Sequence, residues 1–273
     1  MTTEPNTPKK PRRRFQQYSL WTLLVALTVF GVWLGVVVHQ ANEQRKVVAW
    51  VREMGGSVEY DYQFDEDGFR IDDAKPSGPK WLAPLMGIDC FQEVSRVNLH
   101  NMQVSDVTPL AGLIHLEQLA LSGSQFSDLT PLAELKNLEW LELDGTQVSD
   151  LTHLAKLTRL EMLDLTNTQV RDLTPLAKLT SLDTLWLNST QVRDLTPLAE
   201  LKNLEWLSLA NSQVRDLTPL ANLTRLRRFH LKDTPVSEWQ VEELRQALPN
   251  CEIDWSQTPR PMMGVGDLGG GFF

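Results

Sequence analysis

Five histidines and two cysteines are the side chains best suited to binding a metal or carrying a nucleophile, and their spacing serves neither task. The sequence contains no HExxH pair, no glycine-rich phosphate loop and no nucleophile elbow. Cys90 and Cys251 are too few for a disulfide framework or a four-cysteine zinc site. Carboxylates offer more. Glu142, Asp144 and Asp164 fall at related positions, and a pair such as Glu142 and Asp164 could hydrolyse a glycosidic bond if a pocket raised one pKa. Residues 59–73 hold Glu59, Asp61, Asp65, Glu66, Asp67, Asp72 and Asp73 against Arg70 alone. Yet Asp65-Glu66-Asp67-Gly68 lacks the D-x-[DN]-x-[DN]-G frame of a calcium loop and its glutamate at the twelfth position, so a solvated acidic loop is expected. Trp140, Trp186 and Trp206 are the remaining candidates, because tryptophan is the side chain most enriched at binding hot spots.

Composition narrows the classes. The chain has 273 residues, 42% hydrophobic and 22% charged, with a net charge of -9. Residues 1–17 carry Lys9, Lys10, Arg12, Arg13 and Arg14 against Glu4, a net +4, which leaves -13 for the rest. An acidic body argues against nucleic-acid binding, where clustered Lys and Arg must neutralise phosphates. No motif calls for a metal or an organic cofactor, and none is expected.

Residues 18–38 contain no formal charge, and about 20 apolar residues suffice to cross a bilayer as a helix. The run is longer than the apolar core of a secretory signal, and His39-Gln40-Ala41-Asn42 offers no good cleavage pair. With KKPRRR before it, the span should keep its N-terminus in the cytoplasm and place everything after Val38 outside the inner membrane. Gly31 and Gly35 form one GxxxG pair that could join two copies, although glycine is common in such helices. Beyond the span, Val47, Val48, Val51 and Met54 continue at helical spacing until Gly55-Gly56, and Val58 to Tyr62 alternates as a strand does.

Internal repetition decides the fold. Six blocks of 22 residues run without insertion over 107–238, opening VTPL at Val107, LTPL at Leu129, LTHL at Leu151, and LTPL at Leu173, Leu195 and Leu217. Each ends in an L-x-x-L-x-L core such as Leu138-Leu141-Leu143 or Leu160-Leu163-Leu165, and a degenerate copy with Val94, Val97 and Leu99 precedes them. The pattern resembles the leucine-rich-repeat family, and the 22-residue length with its TPLxxL segment resembles the bacterial, internalin-like subclass. The resemblance covers about 90–255 and implies an α/β solenoid: short parallel strands on the concave face, short helical turns on the convex face.

Elementary patterning agrees. The L-x-L portion alternates with period two, as a strand with one buried face requires, and Thr-Pro at 130, 174, 196 and 218 reads as an N-cap hydroxyl followed by proline at the first helical position. No repeat can bury its leucines alone, so the repeats must stack. Ser124, Thr146, Thr168, Thr190, Ser212 and Thr234 stand where the family consensus has asparagine, and their hydroxyls should satisfy loop backbone groups. Asp128, Asp150, Asp172, Asp194 and Asp216 should accept a backbone N–H two residues on. Arg171, Arg193 and Arg215 form a column beside them, best read as local charge balance.

The expected organisation is a basic cytoplasmic segment over 1–17, a transmembrane helix over 18–38 and a stalk with N-terminal cap over 39–90. Repeats follow over 91–238, then a C-terminal cap over 239–255 and a flexible tail over 256–273. Ser237 with Gln240 makes a capping box for the cap helix, and Trp81 to Met86 should help to close the other end. Cys90 and Cys251, at opposite ends of a stack of seven strands roughly 29 Å long, should be free, buried thiols. His100 and His230 are equally far apart, and an open sheet has no pocket to raise a carboxylate pKa, so an enzyme is not expected.

Strand positions between the leucines must face solvent on the concave side. They read Trp140, Glu142 and Asp144; Met162 and Asp164; Trp186; Trp206; then Arg228 and His230 in a basic last row with Lys232. A protein or peptide partner with a basic end and an apolar middle complements this face. Two alternatives remain open: a cell-wall glycan stacked on the same tryptophans, or a structural scaffold without a discrete ligand.

Overall fold

The computed structural model describes residues 20–65, 69–76 and 92–256. The basic segment 1–17, Tyr18 and Ser19, Glu66 to Gly68, Trp81 to Met86, Cys90 and the tail from 257 lie outside the described residues.

Helix α1 spans Leu20–Glu53 without a break. Its first half exposes apolar side chains all round, including Trp21, Leu24, Leu27, Phe30 and Trp33, and is long and apolar enough to cross a membrane. The second half is different. Ala41, Val47, Val48 and Val51 are buried against the first repeat, so the stalk and the N-terminal end of the stack share one apolar core. Met54, expected on the same face, is exposed, because α1 ends at Glu53 and Gly55 turns away with φ 88°. Gly56 then passes tightly over the next strand: a Cβ there would lie 2.6 Å from the Asn98 carbonyl oxygen and 2.6 Å from Leu99 Cδ2.

Among the described residues, nine strands form one sheet in chain order. Strand β1 (Ser57–Tyr60) runs antiparallel to β2 (Val94–Asn98), with a register shift between Glu59 and Tyr60. From β2 onward every pair is parallel: β3 (Gln118–Ala120), β4 (Trp140–Glu142), β5 (Met162–Asp164), β6 (Thr184–Trp186), β7 (Trp206–Ser208), β8 (Arg228–His230) and β9 (Glu252–Asp254). The seven strands expected from the repeats are therefore flanked by one more at each end. Leu119, Leu141, Leu163, Leu185, Leu207 and Phe229 stack in register as a central column and are fully buried.

The convex turns are 3-10 helices of three to five residues, for example Thr130–Leu132 and Thr174–Lys178. Such short pieces suit the i to i+3 bond, and a 22-residue period leaves no room for a longer helix. The threonine of each TPL segment is not the cap. It is the first helical residue, and no cap side-chain bond comes from the residue before it. Aspartate performs that task instead. The Thr130, Thr152, Thr174 and Thr196 N–H groups each donate to Oδ1 of Asp128, Asp150, Asp172 and Asp194 at 2.8 Å. The hydroxyls of the same threonines, and then these backbone bonds, hold the carboxyls below the ordinary aspartate range.

The hydroxyl column behaves as expected at most positions. Thr146, Thr168, Thr190 and Thr234 donate to the carbonyls of Leu143, Leu165, Leu187 and Leu231 at 2.6–2.7 Å, all buried. Ser212 Oγ is buried with no partner among the described residues. A further column leaves each strand through the left-handed region: Asn101, Gly123, Gly145, Asn167, Ser189, Asn211 and Asp233, with φ between 55° and 73°.

Helix α2 (Glu238–Ala247) closes the far end, with Ser237 and Gln240 forming the capping box and Val241 and Leu244 buried. Cys251 is a free thiol but only half-buried, because it sits in the loop that leads into the edge strand β9. Burial, with help from Glu252, pushes its pKa up to about 11.

Candidate ligand-binding face

Parallel register arranges the solvent-facing side chains in rows across the strands. One row reads Arg96, Gln118, Trp140, Met162, Thr184, Trp206, Arg228 and Glu252. The next reads Asn98, Ala120, Glu142, Asp164, Trp186, Ser208, His230 and Asp254. All strand residues singled out from the sequence thus lie on this face, but they do not form one platform.

Trp140 stands by itself. It is 36% exposed, and its indole Nε1 donates to Glu142 Oε1 at 3.0 Å, which fixes the ring over the sheet. Beside it a cavity of about 220 Å³ is lined by Glu59, Arg96, Asn98, Gln118 and Glu142. The Arg96 guanidinium lies 3.4 Å over the Phe64 ring. Met162 and Asp164 occupy β5, one strand further along.

Trp186 and Trp206 meet edge to face with ring centroids 6.1 Å apart. On its other side Trp206 stacks on His230 at 5.9 Å and lies under the Arg228 guanidinium at 5.0 Å. Trp206 Nε1 is buried with no hydrogen-bond partner among the described residues. His230 Nδ1 lies 3.4 Å from Asp254 Oδ2 on the edge strand. Trp186, Trp206, Arg228 and His230 therefore make one aromatic and cationic group that begins two strands from Trp140.

Between the two stations the face is acidic. Asp164 Oδ1 accepts the Thr166 N–H at 2.8 Å, yet burial raises its carboxyl above the ordinary range, with a smaller contribution from Asp144. An open sheet was expected to leave such a carboxylate unshifted; the flanking side chains desolvate it more than the bare backbone would. Sequence reasoning also missed a polar chain that links the second row to the loops following the strands. Ser208 Oγ donates to Asn188 Oδ1, which also accepts the Ala210 N–H, and Asn188 Nδ2 reaches Thr166 Oγ1. Only the fold shows that Arg96, Asn98 and Gln118 line a cavity with Trp140.

Elsewhere the arginine column does not pair with its aspartates. Arg193 donates through Nε and Nη2 to Gln213 Oε1, at 2.9 and 2.7 Å. In the acidic segment Asp65 Oδ1 accepts the Phe69 N–H, and Arg70 pairs with Glu59 at 3.1 Å.

With this geometry in hand, the likeness to known proteins is specific. The leucine-rich-repeat family (two copies) matches residues 136–178 and 159–200. No curated protein matches the chain in sequence. Among solved structures, internalin C2 of Listeria monocytogenes is similar with a TM-score of 0.57 and 35% identity, over 64% of this chain and 77% of that one. An internalin (inlF) of the same species gives 0.57 and 30% over 65% of this chain, which spans about half, 52%, of that protein. A leucine-rich-repeat protein of Leptospira interrogans gives 0.53 and 28%, over 57% and 41%.

Proposed function

Because this chain belongs to the internalin-like family of bacterial leucine-rich-repeat proteins, a family generally of non-enzymatic binding proteins, we propose that it binds a protein or peptide partner through its concave face while anchored in the inner membrane. The observation that carries this reading is Trp140: a large indole, more than a third exposed on an open sheet and held in place by Glu142. Exposed aromatics of this kind carry an aggregation risk unless a partner covers them. Trp186 and Trp206 supply a second apolar station, Glu142, Asp144 and Asp164 set a negative middle, and Arg228 and His230 a positive end.

The anchor reading draws on α1. Its apolar half continues unbroken into a stalk that is part of the repeat core, so a cut behind the span would fall inside a helix. The basic segment 1–17 favours a cytoplasmic N-terminus and an extracytoplasmic repeat domain.

Glycan binding is a second reading, favoured by the cavity beside Trp140, whose aromatic wall and ring of amide, guanidinium and carboxylate groups suit a sugar ring. Binding of a captured partner by the full-length chain, measured against ionic strength, separates the two. A contact steered by the acidic middle weakens as salt rises, whereas sugar stacking barely responds. Replacing Trp140, Trp186 and Trp206 together by alanine should abolish binding under either reading; retention of every interaction would refute the concave face as the site.

A further inference from the structure

Strand spacing makes the concave face a measure of its ligand. Trp140 and Trp206 lie on the same row three strands apart. At ~4.8 Å per strand the separation is about 14 Å. An extended chain rises ~3.4 Å per residue and turns alternate side chains to one side, so its residues i and i+4 span the same distance on the same face. Spacings of three or five would point one of the two side chains to solvent.

Charge fixes what lies between and beyond. Residue i+2 falls ~7 Å from Trp140, between β5 and β6, beside Asp164. Neither Asp164 nor Glu142 has a cation within ion-pair distance among the described residues, whereas Glu134, Glu139 and Glu205 on the edges of the solenoid are each paired with Lys or Arg. Residue i+6 falls ~20 Å along, over β8, where Arg228 and His230 stand. A neutral sugar chain has no groups to answer this change of sign.

Resting on the concave-face reading above, we propose that the occupant is an extended peptide segment laid across the strands, with the order apolar, any, basic, any, apolar, any, acidic from Trp140 towards His230. The apolar pair sits on Trp140 and Trp206, the basic residue meets Glu142 and Asp164, and the acidic residue meets the Arg228 guanidinium, His230 being already engaged by Asp254. Half-burial of Asp164 supports the middle position: a desolvated carboxylate gains most from a cation that arrives with the ligand.

The test is a random heptapeptide display library panned on the full-length chain in detergent, beside W140A/W206A and D164N variants. Peptides with apolar residues four apart and Lys or Arg midway should be enriched and should be lost on W140A/W206A. D164N keeps the Thr166 contact through its amide oxygen; it should retain the apolar spacing and lower the midway basic preference at least tenfold. Enriched peptides that need the two tryptophans but share another spacing, or no basic preference, overturn this register and leave the concave face as the site. Binding to a glycan array through the same tryptophans, with no tryptophan-dependent peptide, overturns both this register and the protein-or-peptide reading, and keeps the concave face as the site.

Discussion

Two members of the hydroxyl column should respond oppositely to loss of the same group. Thr168 Oγ1 donates to the Leu165 carbonyl at 2.6 Å in a buried loop. Thr168→Val keeps the shape and removes the donor, so no cavity forms and the cost is that of a weakened or orphaned carbonyl, about 1–3 kcal/mol. A central value of about 2 kcal/mol lowers Tm by roughly 4–8 °C in a domain of this size. Ser212 holds the equivalent position two repeats later, but its hydroxyl is buried and has no partner among the described residues. Ser212→Ala removes an unsatisfied polar group and should be neutral or slightly stabilising. Urea titration of the full-length chain, followed by tryptophan fluorescence and far-UV circular dichroism, measures both, with an unchanged m-value as the check that the two states are comparable. Equal stability of the two variants would refute the claim that this column works through specific loop hydrogen bonds.

Acidification should first stabilise the fold and then destroy it. Burial raises the carboxyls of Glu117, Glu161 and Asp164, so the folded state takes up their protons first and gains stability as pH falls from neutral. The depressed aspartates of the cap column contribute stability above their unfolded value near ~3.9, and it is lost as pH falls through their lower folded values. Thermal melts from pH 7 to 2 should show a maximum at mildly acidic pH; a steady decline from neutrality would contradict this assignment. Gly56→Ala places a methyl 2.6 Å from the Asn98 carbonyl oxygen and should cost about 1–3 kcal/mol, read as early proteolysis between α1 and β1.

The repeat period carried the fold because each block must bury the same leucines in the same register. Once Leu141 faces inward, Leu119 and Leu163 must follow. What the period could not carry was pairing beyond itself. The alternation of Val58 to Tyr62 marked a strand but not its direction, which is set by Gly55, Gly56 and the packing of Val47, Val48 and Val51 on the first repeat. Thr130 read as the cap and Asp128 as the acceptor of an N–H two residues on; the second holds and the first does not, because backbone angles at Leu129, which composition does not reveal, make Thr130 the first helical residue. The left-handed column had a legible signal in Asn101, Gly123, Gly145, Asn167, Asn211 and Asp233, all residue types that tolerate that conformation. On the concave face the sequence placed each side chain on the correct side. It could not show that Trp206 leans on Trp186 and His230, 20 and 24 residues away, while Trp140 is held by Glu142, two residues on.

A stack of parallel repeats has no intrinsic end, since each strand offers the following one an edge like its own. Among the described strands only β1 runs the other way, and its register shifts between Glu59 and Tyr60. At the opposite edge, exposed Glu252 and Asp254 flank a single buried Ile253. The two ends of the solenoid are therefore not copies of one repeat: one is an antiparallel strand backed by α1, the other an acidic strand beside α2.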